Sequence, residues 1–126
     1  MPATDLAAYR ALLADVRRDL EATIATDDAR LAAIRSARSD ANDDDEHDPE
    51  GATLSAEWSR AEGLREGAQR ELSEIAEAEQ RLLEGRYGVC EGCGRDIPAA
   101  RLHIRPAARM CVSCASLKTS RTLFRP

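Results

Sequence analysis

Aromatic side chains are nearly missing from this chain. Tyr9, Trp58, Tyr87 and Phe124 are the entire set, 3% of 126 residues. A broad globular core is close-packed around large side chains, and so small a stock cannot fill one. Long apolar runs are missing too. No window approaches the ~18 apolar residues of a membrane-spanning helix. The start, Met-Pro-Ala-Thr-Asp, has no apolar run of signal-peptide length. The expected compartment is the cytoplasm, with no membrane partner. There is no Walker loop, no GxGxxG and no HExxH. The Ser and Cys residues lack an evident base, and the carboxylates crowded at 40–50 lack a pocket that would perturb a pKa. These absences exclude the common enzyme classes, so no catalytic residue is expected.

What the chain has is charge, unevenly placed. Residues 1–85 carry 10 Arg and 21 Asp/Glu, a balance of −11; residues 86–126 carry 8 Lys/Arg and 2 Asp/Glu, a balance of +6. The stretch "DANDDDEHDPEGA" at 40–52 includes Asp40, Asp43, Asp44, Asp45, Glu46, Asp48 and Glu50. Such a cluster repels itself and destabilises compact structure around it. It is either a solvated turn or a segment held out towards a partner. His47 lies inside it, where the surrounding negative charge favours the protonated imidazole, though a spacer role is the simpler reading.

Two stretches carry helical periodicity. In residues 5–38, apolar positions fall at Leu6, Tyr9, Leu13, Val16, Leu20, Ile24, Leu31 and Ile34, with Asp27 on the same stripe. The four-residue steps from Val16 to Ile24 loosen a left-handed supercoil locally. Thr4 offers an N-cap, and Asp5 suits the first turn. "TDD" at 26–28 offers an alternative helix start. In residues 49–84, Leu54, Ala61, Ala68, Ile75 and Leu82 recur every seven residues, with Trp58, Leu64 and Leu72 between them. That is a heptad stripe. Asp48 can cap this helix and Pro49 suits its first position. Neither helix can bury its stripe alone. The expected fold is therefore mainly α: residues 1–85 form a long antiparallel coiled-coil hairpin with an acidic tip at about 39–52, and residues 86–126 form a small lobe.

That lobe holds all four cysteines, Cys90, Cys93, Cys111 and Cys114, as "CEGC" and "CVSC". Each C-x2-C places two sulfurs on one tight turn, where Gly92 and Gly94 would let backbone amides face them. Two such turns converging give a tetrahedron of thiolates suited to one structural Zn2+. A redox dithiol would need a strand-to-helix setting that is lacking here, and disulfides conflict with a reducing compartment. Four thiolates leave no open position for catalysis. About 40 residues with few large apolar side chains need such a metal to fold. His103, between the pairs, reads as a partly exposed side chain. "ASLKTSRTLF" after Cys114 reads as a short helix with Leu117 and Phe124 turned inward.

Residues 86–114, "RYGVCEGCGRDIPAARLHIRPAARMCVSC", resemble the DksA/TraR family of bacterial C4-type zinc-finger transcription regulators. The resemblance rests on Tyr87-Gly88, Gly94, Ile97, Arg101-Leu102 and Arg105-Pro106 around the cysteines, and the preceding coil and trailing helix fit it. It implies direct binding to RNA polymerase, with the coiled coil in the secondary channel and an acidic tip near the active site. The family's tip pattern is Asp-x-x-Asp-x-Ala. Glu50 and Ala52 fall on its second Asp and its Ala. His47 falls on the first Asp, or Asp48 with a one-residue slip; Asp45 is a further candidate. Arg105 matches one basic residue with which members bind guanosine tetraphosphate, but Glu74 and Ala115 stand at the others and argue against that ligand. A monomer without sequence-specific DNA binding is expected. Two other readings remain open: a nucleic-acid-binding module using Arg95, Arg101, Arg105 and Arg109 on phosphates, and a zinc-stabilised protein adaptor.

Overall fold

The computed structural model describes residues 3–41 and 49–123. Four helices run in the order α1 (Ala3–Ala41), α2 (Pro49–Leu83), α3 (Ala99–Ile104) and α4 (Val112–Leu123). The described residues contain no β-strand, only an isolated antiparallel bridge between Val89 and Asp96. Helix α1 starts before Thr4, so Thr4 lies inside it and is not its N-cap; Asp5 does sit in its first turn. "TDD" at 26–28 does not restart the helix. Thr26 turns its hydroxyl back to donate to the Ala22 carbonyl at 3.0 Å, and α1 continues. Helix α2 starts at Pro49 as expected. Asp48, its expected cap, lies outside the described residues, as do Asp45, His47 and Phe124.

The chain packs as two compact units, Arg17–Ser73 and Met1–Val16 with Glu74–Pro126. Within the first, three cross-helix contacts set the register. Asp28 pairs with Arg65. Arg35 lies over the Trp58 ring, 5.5 Å from its centroid. Arg38 donates to the Ser55 hydroxyl. As α1 advances from 28 to 35 to 38, its partner on α2 retreats from 65 to 58 to 55, so the helices are antiparallel with no slip between them. Asp27, Leu31 and Ile34 are buried against this partner, as are Ala61 and Ala68. Leu64, expected on the stripe, is 48% exposed.

In the second unit, Tyr9 and Leu13 of α1 and Ile75, Ala78 and Leu82 of α2 are all buried. Tyr87, Cys90, Ile97 and Leu102 supply the buried side chains of the lobe. Tyr9 joins the two sets. Its ring lies 5.3 Å from that of Tyr87 and meets the exposed His103 edge-on at 5.6 Å. Truncating a fully buried leucine such as Leu13 or Leu102 to alanine removes about 2–5 kcal/mol in settings of this kind. Leu117, expected to face inward, is 60% exposed: Ile97, Leu102 and Tyr87 already fill the small interior.

Helix α2 ends where Gly85 takes φ of 76°. The Arg86 amide reaches back to the Arg81 carbonyl at 2.8 Å, and the Gly85 amide to Leu82 at 3.3 Å. This paired bonding stops the helix and turns the chain into the cysteine lobe.

Candidate metal centre and its supports

The four sulfurs converge. Sγ atoms of Cys90, Cys93, Cys111 and Cys114 all lie within 4.8 Å of one another, and Cys90 and Cys111 are 3.8 Å apart. A tetrahedron with Zn–S of about 2.3 Å has edges of ~3.8 Å, so the spacing fits zinc. The first turn is built on three backbone bonds: Gly94 N to Cys90 O at 2.9 Å, Cys90 N to Arg95 O at 2.8 Å, and Ile97 N to Gly88 O at 2.7 Å. Gly94 has φ of 74°. Its amide serves the turn, not a sulfur. The Gly92 amide does face Cys90 Sγ, at 3.3 Å. Helix α4 carries the second pair, with Cys111 just before its start and Cys114 in its first turn.

The two turns are tied together at Cys90. The Cys111 amide donates to Cys90 Sγ at 3.3 Å, and the Glu91 amide donates to the Arg109 carbonyl at 2.9 Å. Cys90 is buried, Cys93 exposed, and Cys111 and Cys114 half-buried. The amide of Cys111, aided by those of Cys93 and Gly92, pulls the Cys90 thiol down to about 6 against the opposing effect of burial. Hydrogen bonds with Cys111 and Cys90 push Cys114 up to about 12. Protons compete with a metal for these sulfurs. With four thiolates and no open position, this is a structural zinc site.

Side chains hold the loop between the cysteine pairs by its carbonyls. Tyr87 Oη donates to Pro106 O at 2.7 Å, Arg81 Nη2 to Ala107 O at 3.3 Å and Arg101 Nε to Met110 O at 2.8 Å. Burial holds the Tyr87 hydroxyl up at about 12, with Tyr9 adding to the effect. Burial also lowers the Arg81 pKa, opposed by the charge of Glu91. These anchors are invisible to cysteine spacing. Tyr87 and Arg101 stand among the residues that carry the family resemblance, but nothing in the sequence says that they bind these carbonyls.

The four arginines proposed as phosphate or polymerase contacts divide. Arg95 and Arg105 are exposed. Arg101 is engaged by the Met110 carbonyl, and Arg109 pairs with Glu77. Arg109 and Glu77 also line an open cleft of about 230 Å³ with Gln80, Arg81, Arg86 and Glu91, which contains no sulfur. Glu50 and Ala52 belong to the first turn of α2. Glu74 is exposed on α2, and Ala115 is half-buried on α4.

Residues 85–119 match the model of the prokaryotic DksA/TraR C4-type zinc finger. This part of the chain is a zinc finger of the DksA/TraR C4 type. Its fold is similar to that of the transcription factor DksA2 from Pseudomonas aeruginosa, with a TM-score of 0.79 and 25% identity over 96% of this chain and 88% of that one. A protein of Chlamydia trachomatis described as an RNA polymerase binding protein and transcriptional regulator shares the fold at TM-score 0.56 and 18% identity, over 100% and 99% of the two chains. Among curated relatives, general stress protein 16O of Bacillus subtilis is 37% identical over 68 residues, 54% of this chain. A protein of Aquifex aeolicus, described only as uncharacterized, is 46% identical over 44 residues, 35% of this chain. These matches span 42% and 30% of the two relatives' own lengths. No described helix is long and apolar enough to cross a membrane.

Proposed function

We propose that this protein regulates transcription initiation by binding RNA polymerase directly. Residues 1–85 act as an arm that enters the secondary channel, and residues 86–126 as the zinc-held base. The observation that carries this reading is the likeness to DksA2, which takes in the helix pair and the finger together over 96% of the chain. The antiparallel register of α1 and α2 supports it, because the carboxylates at 43–48 then belong to the connection between two paired helices. In the channel, Asp45, Asp48 and Glu50, beside Ala52, would face basic side chains and magnesium at the polymerase active site. A few negative charges act strongly there because solvent is restricted. Arg95 and Arg105 supply contacts to the polymerase surface; Arg101 and Arg109 supply less, being engaged by the Met110 carbonyl and by Glu77 of α2. The protein acts as a monomer in the cytoplasm and catalyses nothing itself.

The exposed Arg95 and Arg105 on a basic lobe also favour a second reading, a finger that binds nucleic-acid phosphates. Capture experiments separate the two. Bacterial core RNA polymerase without DNA retains the protein, and a competitor that occupies the secondary channel releases it. Replacing Asp48 by Asn and Glu50 by Gln together leaves retention largely intact and abolishes the effect on initiation. Salt-sensitive binding to duplex DNA without capture by core polymerase would overturn the regulator reading. Capture that the competitor does not disturb would remove the channel from it.

A further inference from the structure

The paired helices of Arg17–Ser73 are not equally well made along their length. At the level of the Asp28–Arg65 pair, α1 presents Asp27 to its partner. Asp27 is 4% exposed. Its Oδ2 has no hydrogen-bond partner, and its Oδ1 lies 3.9 Å from Arg30. A buried carboxylate with an unmet oxygen is destabilising whichever protonation state it holds. One residue earlier, Thr26 bonds back to the Ala22 carbonyl, an arrangement that slightly weakens and bends helices.

The facing turn of α2 is weak for a separate reason. Gly63 and Gly67 flank Arg65, and neither is there to make room. A methyl group on Gly63 would meet nothing within 4 Å, and one on Gly67 would meet only Arg70 Nη2 at 3.8 Å. Neither has a positive φ. Both lower helix propensity without a packing return. The apolar material here is thin as well: Ala61 and Ala68 are buried, while Leu64 is 48% exposed. On α1, Ile24 and Leu31 bound this level; towards the ends of the unit the stripe is richer, with Leu20 and Leu72 on one side and Ile34, Leu54 and Trp58 on the other. The Asp28–Arg65 pair opposes the weakness, but its side chains are 51% and 37% exposed. A pair in that setting contributes less than one interior glycine removes.

We infer that the coil contains a soft joint at this level: α1 around residues 24–30 and α2 around 61–68 part more readily than the turns on either side. The joint is a conformational device of the coil itself and does not depend on which partner the protein binds.

Amide hydrogen exchange on the full-length, zinc-loaded protein tests it. A coil that merely frays from its loop loses protection steadily from 16–20 towards 38. A soft joint gives a minimum at 24–30 and 61–68, with protection recovering at 31–36 and 54–60. Gly63→Ala and Gly67→Ala should each reduce local opening about fivefold, and Asp27→Ala, which cannot overpack the stripe, by at least as much. The triple variant should erase the minimum while leaving exchange in residues 87–115 unchanged. Steadily falling protection in the natural chain, or alanine variants that open more or equally often, would overturn the proposal.

Discussion

A methyl group on Gly92 would sit 2.9 Å from both Cβ and Sγ of Cys114. Cys114 cannot yield without moving a metal ligand, so Gly92→Ala should weaken zinc binding by about 5- to 150-fold, from overpacking of about 1–3 kcal/mol; chelator competition measures it. Tyr87 fails in a different way. Burial pushes its hydroxyl up to about 12 in the folded protein, against an ordinary 10.0. Below pH 10 both folded and unfolded forms keep the proton, and the full stabilisation is present. As pH rises from 10.0 towards 12 only the unfolded chain ionises, so stability falls. Tyr87→Phe should be less stable at neutral pH by about 1 kcal/mol, because the Pro106 carbonyl loses its donor. It should also show a flatter decline across that alkaline range in denaturant titrations.

Helix α2 relies on how it ends as well as on its stripe. At Gly85 the penalty of a side chain is purely conformational: φ is 76° and a methyl group would meet nothing within 4 Å. Gly85→Ala should therefore remove about 1–2 kcal/mol, visible as a lowered thermal midpoint with zinc stoichiometry unchanged. Helix α4 begins within the metal cluster, with Cys111 and Cys114 fixing its first turn. Leu117, one turn beyond Cys114, is exposed.

At the scale of the molecule, the lobe and the coil draw stability from different sources. The lobe has few buried side chains, and structural zinc contributes on the order of 10 kcal/mol to such folds. The coil is held by its apolar stripe. Removing zinc with a chelator should strip exchange protection and protease resistance from residues 87–115 while most of the far-ultraviolet helical signal survives. Equal loss of both would show that the coil cannot stand without the metal.

The amino-acid sequence by itself determined the two long helices, the pairing stripe and the four-sulfur site. Each is a short-range pattern: a period of three to four residues along a helix, or two cysteines on one turn. Register between α1 and α2 was legible only as a stripe on each; the contacts of Asp28, Arg35 and Arg38 set it. The α3 turn, the exposure of Leu64 and the work of Arg81, Arg101 and Tyr87 were decided in tertiary structure. Those side chains meet the carbonyls of Pro106, Ala107 and Met110. Nothing in local spacing says which backbone oxygen a guanidinium or phenol will reach, because that depends on where two distant segments come to rest.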